Sequence, residues 1–155
     1  MIAYVDGGSR GSPGPAGVGV IIEHPGGRRV EISQSIGERD NNYAEYAALL
    51  VALEYAAAYS SPNLQVYSDS EVMVRQVSGA YICQSPALLE IHNACKALIA
   101  NFQDFSITHV RREQNADADR LARQAIHRAM NEKPVDSHEP AFPPALPRLV
   151  PLEQT

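Results

Sequence analysis

The sequence predicts an α/β fold, a five-stranded mixed sheet flanked by helices with a Pro-rich C-terminal extension, and three observations predict it. The chain opens on strand-like segments joined by short Gly/Pro turns. It then alternates helix-period segments with two further short apolar strands. Beyond residue 130 both periods vanish, and six of the eleven prolines fall in the last 25 residues.

Ile2 to Asp6 (IAYVD) reads as a strand with Ile2, Tyr4 and Asp6 on one face. The Gly/Ser/Pro stretch from Gly7 to Pro15 reads as a turn or loop. Ala16 to Glu23 is a second strand, Gly26-Gly27 a hairpin turn, and Val30 to Gly37 a third strand, which together make an antiparallel meander. Asn42 can cap a helix that begins near Tyr43 and runs to about Tyr59. Leu64 to Ser68 is a short strand, and a helix follows from about Ser70 to Val77. Pro86 suits the first turn of a helix through about Ala100. Phe105 to Val110 is the fifth strand and Ala116 to Met130 the final helix. A meander followed by alternating helices and strands implies a mixed sheet with helices against it. Residues 1–130 form one domain. Residues 131–155 form a tail that is either a flexible extension or an arm docked through Phe142, Leu146, Leu149, Val150 and Leu152. PALP (Pro144 to Pro147) is its candidate anchor, on the body or in a partner's groove.

A chain of 155 residues, 45% hydrophobic and 20% charged, buries a sizeable core as a single globular domain. No apolar run approaches a membrane span, and the N-terminus opens at once on strand residues without a basic leader, so a cytoplasmic protein is expected. Cys83 and Cys95 lack metal-site or redox spacing and read as free thiols, with a disulfide as the alternative. Thirteen basic against eighteen acidic residues, a net charge of −5, argue against coating nucleic acid by bulk electrostatics. They do not exclude nucleic-acid binding.

Four carboxylates, Asp6, Glu45, Asp69 and Asp119, end hydrophobic strands or occupy the first turn of helices. Buried charge needs compensation, and an all-carboxylate site suits hard, oxygen-seeking cations such as Mg²⁺ or Mn²⁺. Glu45 shares a helical stripe with Ala48, Leu49, Ala52 and Ala56. Asp119 stacks with Ala122, Ile126 and Met130, whereas Asp117 stacks with Arg120, Leu121 and Gln124. The phase predicts Asp119 inward and Asp117 solvated. Taken singly, each acid has an alternative reading: turn former, first-turn acid or helix cap.

Together the stretches DGGSRGSPGPAG from Asp6, NNYAEYAALLVALE from Asn41, YSDS from Tyr67 and HVRREQNADADRLA from His109 resemble type 1 ribonuclease H over about residues 1–130. The resemblance implies the ribonuclease H-like fold and an endonuclease cutting the RNA strand of RNA/DNA hybrids. It also implies two Mg²⁺ ions per site, with Mn²⁺ as substitute, held by Asp6, Glu45, Asp69 and Asp119. Those ions would activate a water and stabilise the leaving 3′ oxygen, giving a 5′-phosphate and a 3′-hydroxyl. His109 matches the family's mobile histidine and would aid proton movement or product release. Gly7, Ser9, Gly11, Ser12, Asn41, Asn42 and Glu45 match positions that contact substrate and sense the 2′-hydroxyl. Asn41 and Asn42 can instead cap the helix, and Gly11 can simply permit the turn.

The chain departs from many bacterial members at Ser12, where many carry Asn, at Glu71, where a neutral residue is usual, and across one whole segment. Between the third acid and the last helix it reads VSGAYICQSPALLEIHNACKALI, with one Lys and no Trp, so the basic protrusion is absent and the form is compact. With the first strand beginning at Ile2, no hybrid-binding domain is expected before it. Arg10, Arg111 and Arg112 are the expected phosphate contacts, and Glu71 is expected to face solvent. Two alternatives are a non-catalytic nucleic-acid-binding module on the same fold and a nuclease that also cuts duplex RNA. A monomer is expected.

Overall fold

A computed structural model describes residues 1–131. The expectations for the tail, including docking through PALP, lie outside the described residues. The five strands are β1 (Ile2–Ser9), β2 (Gly14–Glu23), β3 (Arg29–Arg39), β4 (Asn63–Ser68) and β5 (Asp104–His109). The helices are α1 (Asn41–Ala58), α2 (Glu71–Ser78), α3 (Pro86–Ile99) and α4 (Ala116–Asn131), with a 3-10 turn at Arg112–Asn115 before α4. The sheet runs β3-β2-β1-β4-β5, antiparallel across the meander and parallel at β1–β4 and β4–β5.

The predicted fold class and every predicted element are present, but two boundaries move for physical reasons. Gly7, Gly8 and Ser9 belong to β1, because their partners Val18, Gly17 and Ala16 continue the ladder past Asp6. The turn therefore shrinks to the segment around Gly11, whose φ of 117° is a left-handed value suited to glycine. The cap of α1 is Asp40, not Asn42: its Oδ1 accepts from the Tyr43 N–H at 2.8 Å, and Asn41 and Asn42 lie inside the helix. Asp40→Ala is expected to remove about 1 kcal/mol of stability, read as a fall of about 4 °C in a thermal melt.

Helix α1 is buried nearly all round. Every residue from Tyr46 to Ala56 is inaccessible, so the helix has no single apolar stripe, as befits an element at the centre of the core. The Tyr46 hydroxyl donates to Gln76 Oε1 at 2.6 Å, tying α1 to α2. Cys83 and Cys95 are both buried free thiols. Helix α4 packs on the opposite face of β2 through Ala118, Leu121, Ala122, Ala125 and Ile126. Its apolar face is wider than one residue column, which buries Leu121 although that residue shares the phase of Asp117. The buried stripe stops at Ile126, and Met130 is exposed. No helix among the described residues is long and apolar enough to cross a membrane.

Candidate active site

The register of two parallel strands starts the site. Val5 of β1 lies beside Ser68 of β4, so the next residues, Asp6 and Asp69, leave the same sheet end side by side. Ser68 is fully buried, and its Oγ accepts from the Ser70 N–H at 3.0 Å, which fixes the turn that carries Asp69 into α2. Glu45 comes from the first turns of α1. The backbone at Gly7 meets Ala44 so closely that a Cβ would overlap its carbonyl, and the Gly7 N–H donates to Glu45 Oε1 at 3.2 Å. From the other face, Asn115 donates its Nδ2 to the Val5 carbonyl at 2.9 Å, holding the start of α4 to the strand that bears Asp6. Among the described residues, Asn115 Oδ1 is buried without a partner.

Carboxylate oxygens of Asp6, Glu45 and Asp69 come within 4.8 Å of one another. The fourth acid stands slightly apart. Asp119 lies near enough to Asp6 to help raise that carboxyl's pKa, while its own Oδ2 takes Arg123 Nε at 2.9 Å. Asp117 faces outward and pairs with Arg29 at 2.7 Å, as helix phase predicts. Arg112 Nε approaches Asp69 only to 4.0 Å.

Burial, and then the charges of Glu45 and Asp69, push the Asp6 carboxyl up to about 9. Burial followed by the charge of Asp69 pushes Glu45 up to about 8, against the Gly7 N–H and Arg112, which favour its ionised form. These carboxylates resist ionising together unless positive charge joins them. An all-oxygen set of this kind fits a hard divalent cation.

The acids open onto a cleft of about 1200 Å³ that also takes in Gly7, Ser9, Arg10, Asn41 and Arg112. Gly11, Ser12, Asn42, His109 and Arg111 do not line it. Gly11 and Ser12 sit in the β1–β2 turn, where the Ser9 hydroxyl donates to the Gly11 carbonyl at 2.7 Å. His109 ends the edge strand β5, paired with Ser68 and exposed. The Arg111 N–H donates to Gln114 Oε1 at 3.1 Å, in the 3-10 turn that leads into α4. Glu71 is solvent-facing and pairs with Arg75 at 3.0 Å, as expected. The cleft has one wall that sequence reasoning missed: Arg120, Arg123, Gln124, His127 and Arg128 on the outer face of α4. Their helical spacing was the available signal.

A family model described as reverse transcriptase-like matches residues 4–125. Ribonuclease HI of Halobacterium salinarum is 42% identical over 125 residues, 80% of this chain and 63% of that protein. A bifunctional protein of Mycobacterium tuberculosis is 36% identical over 88% of this chain and 38% of its own length. The chain thus spans less than two thirds of these curated relatives. The crystal structure of the Halobacterium salinarum RNase H1 superposes with a TM-score of 0.77 at 41% identity, covering 82% of this chain and 97% of that one. LC11-RNase H1 in complex with an RNA/DNA hybrid gives 0.76 at 39% identity, over 83% and 98% of the two chains.

Proposed function

This chain belongs to the type 1 ribonuclease H family, and from that membership we propose that it is a metal-dependent endonuclease hydrolysing the RNA strand of RNA/DNA hybrids, with 5′-phosphate and 3′-hydroxyl products. The observation that carries the reading is the meeting of the Asp6, Glu45 and Asp69 carboxylates within 4.8 Å at one sheet end. LC11-RNase H1, of similar fold, was solved with such a hybrid bound. The activity resides in residues 1–130.

Asp6, Glu45, Asp69 and Asp119 would hold two Mg²⁺ ions, with Mn²⁺ as substitute. The chemistry supplied there would be Lewis-acid: neutralising the carboxylates, acidifying a water and offsetting charge on the departing oxygen. The chain's own residues supply the rest. Asp6 is buried beside Glu45, Asp69 and Asp119. The Gly7 N–H orients the Glu45 carboxylate. Ser9, Asn41 and Glu45 line the cleft where a 2′-hydroxyl would be sensed, with Gly7 allowing close approach. Gly11, Ser12 and Asn42 complete the substrate face through the turn and the start of α1. Arg10 and Arg112 on the cleft, and Arg111 outside its lining, contact phosphate, and His109, also outside the lining at the end of β5, would have to turn in to move a proton or release product. The protein acts as a cytoplasmic monomer.

Cleavage of end-labelled RNA/DNA, RNA/RNA and DNA/DNA duplexes with Mg²⁺ or Mn²⁺, beside Asp69→Asn, tests this. The expected outcome is metal-dependent cutting of the hybrid's RNA strand alone, abolished in the variant. Cutting of duplex RNA would broaden the substrate class. A folded protein inert with either metal would leave a binding module.

A further inference from the structure

The cleft is electrically two-ended. Asp6, Glu45 and Asp69 stand at one end, while α4 supplies Arg120, Arg123, Gln124, His127 and Arg128 along the same wall. Steps of three, four, seven and eight residues from Arg120 put these on one helix face. Two of the arginines are already neutralised. Arg120 pairs with Glu31 at 3.2 Å and Asp117 at 3.8 Å, and Arg123 pairs with Asp119 at 2.9 Å.

Arg128 is different. Its guanidinium donates to Ser33 Oγ at 3.2 Å and to the Ser33 carbonyl at 3.0 Å, both neutral acceptors on β3. Among the described residues neither Arg128 nor Arg10 forms an ion pair, so both bring uncompensated charge to the cleft. Arg128 is held in place by β3 yet uses only part of its five-donor fork. The α2–α3 side is the reverse. Residues 79–95 contain no Lys or Arg, Lys96 is tied to the Val77 carbonyl at 2.9 Å, and the exposed residues there include Tyr81, Ile82 and Leu89.

We propose that the outer face of α4, with Arg128 as its fixed charge and Arg10 and His127 beside it, is a phosphate-binding track gripping the duplex backbone on one flank of the cut position. The proposal rests on the hybrid-nuclease reading and adds where the grip lies: on the α4 side, not beyond α2. From Arg120 to Arg128 the helix advances about 12 Å. At about 3.4 Å of duplex axis per phosphate on one strand, that is an axial rise of about three to four phosphate steps.

The test measures binding, so it is separate from cleavage. In an Asp69→Asn background with Mg²⁺, fluorescence anisotropy is followed against salt for hybrids lengthened on the 5′ or the 3′ side of one fixed sequence. Arg128→Gln is expected to weaken binding about tenfold at low salt and to flatten the salt slope by about one. The loss should be confined to hybrids lengthened on one side, Arg128→Lys should restore the slope, and the Mg²⁺ affinity of otherwise wild-type Arg128→Gln by calorimetry should not change. Unchanged binding in Arg128→Gln overturns the track. So does a loss that lysine fails to rescue, which would assign Arg128 only to holding α4 on β3. Failure of the nuclease reading shows elsewhere, as no cleavage by the protein with Asp69 intact. A parent that binds no hybrid would overturn track and substrate class together.

Discussion

Asp6→Asn is expected to lower metal-dependent cleavage at least about a thousandfold, about 4 kcal/mol of transition-state stabilisation, while raising the melting temperature of the metal-free protein. Both effects have one cause. Asp6 is 7% exposed and lies against Glu45, Asp69 and Asp119, so its charge is what a cation would need and what the empty fold tolerates worst. The sign of the pH dependence follows. The folded values of Asp6 and Glu45 lie above the ordinary carboxyl values of 3.8 and 4.5, so the folded state binds more protons than the unfolded chain as pH rises above them. Without metal, stability therefore falls as pH rises from about 4 towards about 9, with a plateau above. Thermal melts across pH 5 to 9 check this. The slope should be steep without metal, flatter with Mg²⁺ and reduced in Asp6→Asn; a rise in stability with pH in the metal-free protein would contradict it.

Gly19→Ala is expected to lower the melting temperature by about 10 °C or more, about 3 kcal/mol, and to weaken Mg²⁺ binding. Gly19 lies opposite Asp6 in the β1–β2 ladder. A Cβ there would overlap the Ala118 carbonyl and the Ala122 nitrogen, which are helix backbone and cannot swing aside. The helix must move outward, and Asp119 moves away from Asp6 with it. Gly8→Ala is the control on a neighbouring strand. Its added methyl would meet Asn41 Oδ1 at 3.5 Å and Ile126 Cδ1 at 3.8 Å, ordinary contact distances, so a change below about 1 kcal/mol is expected. Melting curves and calorimetric Mg²⁺ titrations of the two variants distinguish local crowding from a general weakness of the glycine-rich strands.

Much of this architecture was legible in the sequence because different physical signals agreed. Gly26-Gly27 marks a hairpin that the structure places between β2 and β3, and both glycines take left-handed φ. Helix phase separated Asp119 from Asp117, and their side-chain exposures of 29% and 58% follow it. Other signals were degenerate. Asp40, Asn41 and Asn42 are three consecutive cap-competent residues, and only the hydrogen bond to Tyr43 selects the first. The apolar stripe invoked for Glu45 carries little information, since a helix buried on all sides has apolar residues in every phase. The approach of Asp6, Glu45 and Asp69 depends on strand order and on the close meeting of Gly7 with α1, both non-local. The α4 arginines have the spacing of any solvent-facing helix side. Only the cleft reveals that this side looks along the site.

The central position of α1 sets how the protein can fail. Helix ends and edge strands fray through local opening, but an element covered by β1, β2 and α3 is released only when the whole domain comes apart. Glu45 is mounted on that element, and Asp6 on the strand beneath it. Thermal fluctuation can loosen the β1–β2 turn or the last turn of α4 without disturbing the spacing of those two carboxylates. Loss of their spacing is therefore expected to coincide with global unfolding.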